Sequence, residues 1–417
     1  MSHQPASTTV DIFVARQAIY TRTAAVYGYE LLFRSGLENR YTAADGDQAT
    51  AEVITHSILA LGLDQLTGGR PAFINFTRGL LLAGHYAALP PGQAVIELLE
   101  GIEADDEVID ACRRAKGEGY ALALDDVVGV EGYERLLPLV DIVKVDFRRT
   151  PPERWSQVRD DVRAHSRRVR LLAEKVETEQ EFERAVALGY DYFQGYFLSR
   201  PVVISGKDIP AFKLSLIELL RAAREPDFDF GRLEAVIKRD VSLTHNMLRF
   251  ANAAAHGLRH RITSVKHALV LLGQDDVVRS VSLLALAGLG ADRPLELAVR
   301  SATRGAFCEA IAPHAGLGEQ TLDVFLLGMF SLVDVLLGVP MDEVAPRLPA
   351  SDAVARALLG GEGRLRDMLE LAVAYERGDW QLAQSLCHRL GVPPGELPRS
   401  YLGAVRQADE VFAIRAA

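Results

Sequence analysis

The chain has 417 residues, of which 49% are hydrophobic and 24% charged, and it carries a formal net charge of −10. That length favours two domains with a sizeable core, and the acidic balance argues against a whole-chain nucleic-acid binder. Cys112, Cys308 and Cys387 are far apart and lack metal-ligand spacing, as expected of reduced, packed thiols. The start, MSHQPASTTVDIF, has neither the basic stretch nor the apolar run of a signal peptide. The nearest approach to a membrane span, VSLLALAGLGA (281–291), is too short to cross a bilayer. A cytoplasmic protein with no membrane partner is the expectation.

In chain order, strand-like texture begins near Asp11 (DIFVARQAIY) and continues through VYGYELLFR (26–34), AFINFT (72–77), AVIELLE (94–100), ALALDD (121–126), VDIVKVD (140–146), RLLAEKVE (170–177) and YDYFQGYF (190–197). Short runs rich in Val, Ile, Leu and Phe suggest buried strands. Helix signals separate most of them. The segment 47–66 opens on Asp47 and carries an apolar face of Val53, Ile54, Ile58, Leu59 and Leu61. Further helices are expected at 104–118, 152–165 and 178–188, the last with Thr178 and Glu181 at its start and Gly189 at its end. Such alternation in about 200 residues suggests a parallel sheet closed into a barrel.

Beyond SRPVV (199–203) the texture changes. ISGKDIP (204–210) reads as a linker, and strand signals nearly vanish after it. Amphipathic helices are expected at 213–224, 230–240, 243–255, 264–273, 276–289, 295–312 and 320–337, then at 351–359, 364–376, 379–389 and 401–413. This half is expected to be all-α.

The strand ends of the first half supply Glu30, Asn75, Glu97, Asp125, Asp126, Lys144, Glu174, Glu177 and Gln194. Any one of these alone is more often a cap or a solvated group. Several carboxylates at one barrel mouth repel each other unless a cation sits among them. A phosphodiester hydrolase uses such a set to hold two divalent ions, and Mg²⁺ prefers oxygen ligands. The fork of Arg34, four residues past Glu30, suits a phosphate oxygen.

YGYELLFR resembles the signature of EAL domains, the cyclic di-GMP phosphodiesterases, and FINFT, VIELLE, LALDD, IVKVD, LLAEKVE and YFQGYFLSRP extend the resemblance in order over about 10–203. The resemblance implies a (β/α)₈ TIM-like barrel with a modified first strand. It implies a two-metal Mg (or Mn) site held by Glu30, Asn75, Glu97, Asp125, Asp126 and Glu174. It also implies Lys144 near the nucleophilic water, Glu177 and Gln194 in support, Leu32 and Arg34 against the dinucleotide, and Glu100 bracing the loop after the aspartate pair. A homodimer is implied only by habit of the family. This chain departs from the pattern at VVGVEG (127–132), where the family has Phe-Gly-Thr-Gly, at Leu31 in place of alanine, and at Lys175 in place of glycine. A lysine there is expected to salt-bridge one of the acids or crowd the second metal.

The stretch 237–273 resembles the HDOD domain, a relative of the HD phosphohydrolases, through Asp240, Asn252 within FANAAA, and RITSVKHALVLLG. That resemblance covers about 204–395 and leaves 396–417 as a helical extension. Ser331 and Leu332 stand where an HD enzyme needs its His-Asp pair, and His245 reads as half-buried. A metal-free module recruiting an unknown protein partner is expected. Arg249, Arg259, His260, Arg261, Lys266 and His267 read as a solvated basic face balanced by Asp240, Asp275 and Asp276, so nucleic acid is not an expected partner. Three readings stay open: a barrel that binds cyclic di-GMP with weak or lost hydrolysis and signals through the HDOD half, an active phosphodiesterase producing pGpG, and a scaffold that binds no nucleotide.

Overall fold

The computed structural model describes residues 13–34, 62–197, 264–289 and 293–416, together with Gly231, Glu234, Ile237 and Ile262. The linker 204–210, the helices expected at 213–224 and 243–255, most of those at 47–66 and 230–240, and Asp240, His245, Asn252, Arg249, Arg259, His260 and Arg261 lie outside the described residues. The chain divides into two compact units. One holds the described residues up to Phe197 with Ala374–Ser385 and Pro394–Arg399, and the other holds the remaining helices.

In the first unit eight strands close a barrel in chain order: β1 (Phe13–Thr21), β2 (Val26–Arg34), β3 (Ala72–Phe76), β4 (Ala94–Leu98), β5 (Ala121–Val127), β6 (Ile142–Asp146), β7 (Arg170–Val176) and β8 (Tyr192–Gly195). The expected closed barrel is present, and its first strand is indeed unlike the others. β1 runs antiparallel to both neighbours, with Phe13 opposite Arg34 and Ile19 opposite Gln194, whereas β2 to β8 are parallel. Helices α1 (Leu63–Thr67), α2 (Arg78–Leu82), α3 (Asp106–Gly117), α4 (Trp155–His165) and α5 (Glu179–Leu188) lie between strands. Strict alternation fails between β5 and β6, which are joined by turns through 128–140. On α5 the expected capping box is formed, Thr178 accepting from the Glu181 amide while Glu181 accepts from the Thr178 amide.

Ile19, Phe73, Val95, Ala123, Ile142 and Leu172 make a buried apolar layer across the barrel, with Tyr27, Ala121 and Tyr192 packed on it. Side chains two residues apart on a strand share a face. The residues two further along β3 to β8 are therefore Asn75, Glu97, Asp125, Lys144, Glu174 and Gln194, one polar layer above an apolar floor. The reversed β1 adds Gln17 to the same layer.

The second unit is helical: α6 (Val265–Leu289), α7 (Leu295–Ile311), α8 (Thr321–Phe330), α9 (Val333–Leu337), α10 (Met341–Val344) and α11 (Asp352–Leu358). α12 (Arg364–Glu376), α13 (Trp380–Leu390) and α14 (Glu396–Ala416) follow, each divided between the two units. α6 comprises the two helices expected over 264–289, separated at Gly273, whose φ of +74° and ψ of 173° are not helical. The helix expected over 320–337 is two, broken at Ser331 and Leu332. α7 and α8 cross so closely that a Cβ on Gly328 would lie 2.6 Å from the Arg304 carbonyl oxygen. Only glycine permits that approach.

Candidate functional site: a carboxylate ring around a buried lysine

Lys144 has no exposed side-chain surface. Its ammonium lies 2.6 Å from Glu97, 2.7 Å from Asp125, 3.0 Å from Glu174 and 3.7 Å from Glu30. Four carboxylates against one ammonium leave a formal charge of −3 in a dry place, which only protons or further cations can relieve. Burial pushes the Glu97 carboxyl well above the usual carboxylate range, Glu30 and Asp125 adding to it and Lys144 opposing. Burial likewise pushes Glu174 up to about 8, against the pull of Lys144. For Lys144 burial acts to lower the value, but Glu174, Glu30, Glu97 and Asp125 together hold it well above its ordinary range.

The amides complete the ring. Asn75 donates to Glu30 Oε1 at 3.3 Å, and Gln194 donates to Glu30 Oε2 at 2.5 Å and to Gln17 Oε1 at 3.0 Å. With their NH₂ groups so used, the buried Asn75 Oδ1 and Gln194 Oε1 have no hydrogen-bond donor among the described residues, nor do Glu97 Oε2 and Glu174 Oε2. Buried acceptors with no donor are costly unless something positive reaches them. An all-oxygen donor set with excess negative charge fits a hard divalent cation. Asp125, Asp126 and Glu174 each present one oxygen within 4.8 Å of the others.

Two matched irregularities aim these acids. On β5 the pairing with β6 shifts between Leu124 and Val127, and on β7 the pairing with β8 shifts between Ala173 and Val176. Each shift inserts one extra residue, the geometry of a β-bulge. Asp126 (φ +49°) and Lys175 (φ +55°) occupy the bulges in the left-handed region. The Lys175 ammonium reaches across to Asp126 Oδ1 at 2.7 Å and to Asp146 Oδ2 at 2.7 Å. Burial opposes ionisation of Asp146, yet Lys175 and the amides of Arg149 and Arg148 bring its carboxyl below the ordinary range.

The residues named from the sequence thus fall into groups. Glu30, Asn75, Glu97, Asp125, Lys144, Glu174 and Gln194 converge, while Asp126 stands beside them, held by Lys175. Leu32 and Arg34 lie two and four residues past Glu30 on β2, both half-buried. Glu177 faces Arg148 at 3.8 Å, and Glu100 is paired with Arg149, which also comes within 3.9 Å of Asp126. Asp146, Arg149 and Gln17 were not singled out from the sequence. The aspartate closing IVKVD was the available signal for the first. In the helical unit, Ser331 accepts from the buried Arg304 at 2.7 Å and donates to the Gly328 carbonyl at 2.6 Å, which explains the break between α8 and α9.

A family model for the EAL domain matches residues 47–201 and one for the HDOD domain matches residues 209–344. YuxH of Bacillus subtilis (strain 168), itself uncharacterized, is 36% identical over 387 residues, 91% of this chain and 94% of its own. The cyclic di-GMP phosphodiesterase CdgJ of Vibrio cholerae serotype O1 is 35% identical over 401 residues, 96% of this chain and 93% of its own. Among solved structures, a calcium and cyclic di-GMP complex of Klebsiella pneumoniae BlrP1 aligns with a TM-score of 0.39 and 24% identity, over 48% of this chain and 58% of that one. By the two family models and the relatives YuxH and CdgJ, the chain belongs to the EAL–HDOD family of cyclic di-GMP signalling proteins.

Proposed function

We propose that the barrel binds cyclic di-GMP together with a divalent cation, hydrolyses it weakly or not at all, and passes its state to the HDOD part. The observation that carries this reading is the ring of Glu30, Glu97, Asp125 and Glu174 around Lys144, with buried oxygens awaiting a positive partner. In this reading residues 10–203 form the EAL domain, 204–395 the HDOD domain and 396–417 an extension. Glu30, Asn75, Glu97, Asp125 and Glu174 would hold the ion, with Asp126 to one side. A bound Mg²⁺ or Mn²⁺ neutralises phosphate charge and makes water a stronger nucleophile.

The chain's own residues account for the rest. The guanidinium of Arg34, on β2 beyond Glu30, is the group that would meet a phosphate, and Leu32 would supply an apolar contact to the dinucleotide. Lys144, buried among the carboxylates, would oppose negative charge gained at a phosphodiester oxygen next to the ring. Gln194 fixes Glu30 through its amide. Hydrolysis would join a water oxygen to phosphorus, break one bond from phosphorus to a sugar oxygen, and deliver a proton to that oxygen, giving pGpG. Asp126 is engaged by Lys175, and a displacement of about 1 Å costs roughly 100-fold in rate. Binding is less sensitive to such a shift, which is why weak turnover is proposed.

A second reading, an active phosphodiesterase, is favoured by the completeness of the ring and by the name of the relative CdgJ. A homodimer and a protein partner for the HDOD domain belong to the proposal as well. The test is purified full-length protein with cyclic di-GMP and Mg²⁺ or Mn²⁺, product followed by chromatography beside calorimetry. Saturable binding with little pGpG is expected, and Arg34→Ala should weaken it. Rapid conversion to pGpG, abolished by Asp125→Asn, establishes the second reading. Absence of both binding and product defeats each of them.

A further inference from the structure

Lys175 has an unusual position for its residue type. Its backbone lies at φ +55°, a conformation that glycine adopts freely and a lysine adopts at a cost. Its side chain is about half exposed, yet its ammonium is spent on two carboxylates at once, 2.7 Å from Asp126 Oδ1 and 2.7 Å from Asp146 Oδ2. Asp146 is only 1% exposed and also accepts from the amides of Arg148 at 2.7 Å and Arg149 at 3.0 Å. On the far side of Asp126, the Arg149 guanidinium stands 3.9 Å from Oδ2. Asp126 therefore faces positive charge from both sides before any ion arrives.

We infer that the Lys175 ammonium serves as a resident cation beside Asp126, so that the barrel takes one exchangeable divalent ion and not two. The inference rests on the reading of the carboxylate ring as a cation site. An ion within the ring can use oxygens of Glu30, Asn75, Glu97, Asp125 and Glu174 without Asp126. The ring keeps a formal charge of −3 around the Lys144 ammonium, whereas Asp126 and Asp146 are already met by Lys175 and Arg149, so a second dication at Asp126 would face two cations with no excess negative charge to offset their repulsion. Asp126 thus acts as the anchor of Lys175. Lys175 is a positioning residue that settles how many metals the site holds.

The test counts ions on full-length, metal-stripped protein with Mn²⁺, by calorimetry for stoichiometry and by electron paramagnetic resonance for a spin-coupled pair. One Mn²⁺ per chain and no coupled signal are expected. Lys175→Gly should take two with a coupled signal. Lys175→Arg, keeping the charge, should stay at one. Asparagine tolerates the left-handed region, so Lys175→Asn gives the same answer as the glycine variant should that one fail to fold, and circular dichroism verifies each variant. Two ions on the unaltered chain, or one ion on a folded Lys175→Gly and Lys175→Asn, overturns the inference. No ion on the unaltered chain defeats the ring as a cation site and this inference with it. A change from one to two without cyclic di-GMP binding removes the dinucleotide reading and leaves the inference standing.

Discussion

Lys144 and Glu97 meet at 2.6 Å with neither side chain exposed at all, and Lys144 is the main compensation for the buried Glu97 carboxylate, while Glu174, Glu30 and Asp125 share with Glu97 in compensating Lys144. Breaking such a pair on one side leaves a buried charge alone and costs about 3–5 kcal/mol. Lys144→Met should lower the stability of the metal-free protein by that order, measured by urea unfolding at pH 8. The loss should shrink at pH 5, where the carboxylates can take up protons in place of the ammonium. Equal losses at both values would mean that packing, not charge, makes Lys144 necessary.

A second expectation concerns pH and metal together. Glu174 has its folded value pushed up to about 8 from an ordinary 4.5. Below about 4.5 the folded and unfolded chains both hold the proton, and the group contributes nothing. Between those values only the folded chain holds it, so stability falls as pH rises, and above about 8 the whole penalty is present. A divalent ion displaces that proton. The rise in melting temperature on adding Mn²⁺ should therefore be larger at pH 8.5 than at pH 6, with proton release detectable by calorimetry in buffers of different ionisation enthalpy. A metal effect independent of pH would count against Glu174 as a ligand.

Gly195 stands opposite Val176 at the β7 bulge with φ +149°, and a Cβ there would lie 2.1 Å from the Val176 carbonyl oxygen. Gly195→Ala combines an unfavourable backbone with a clash against the main chain, about 1–3 kcal/mol from the strain alone. Because Gln194 is its neighbour, the same change should weaken Mn²⁺ binding. Unchanged stability and metal affinity would show that the bulge is more pliable than its geometry indicates.

In the helical unit, Gly328→Ala should lower the denaturant midpoint by the equivalent of about 1–3 kcal/mol, since the crossing of α7 and α8 leaves no room for a methyl group. Circular dichroism reads this directly. Gly403→Ala, where a Cβ meets nothing within 4 Å, is the matched control.

Strand positions were legible because each buried run is bounded by turn residues: VYGYELLFR coincides with β2 from end to end. Convergence of most of the polar layer was legible too, since Asn75, Glu97, Asp125, Lys144, Glu174 and Gln194 each sit two residues beyond an apolar strand residue. The bulges were not, because an inserted residue at Asp126 or Lys175 leaves the local composition unchanged and shows only in pairing to the next strand. The partnership of Lys175 with Asp146 depends on those bulges, so it escaped as well. In the sequence Ser331 stands out only for the histidine it replaces, and its bond from Arg304, 27 residues away, exists only in three dimensions.

The reversed first strand bears on how this protein comes to exist at all. β1 and β2 form a hairpin with contacts between near neighbours in sequence, of the kind that forms in microseconds. Its other edge must wait for β8, and the Gln194–Glu30 hydrogen bond spans 164 residues. During synthesis the first-made strand is left with an open edge until the last has left the ribosome, and long-range pairing of this sort is slow. The ring around Lys144 comes together only when that seam is sewn. Mn²⁺ binding is therefore expected only of chains that have completed β8, and a truncation before Tyr192, which keeps Glu30, Asn75, Glu97, Asp125 and Glu174 but loses Gln194, should bind none.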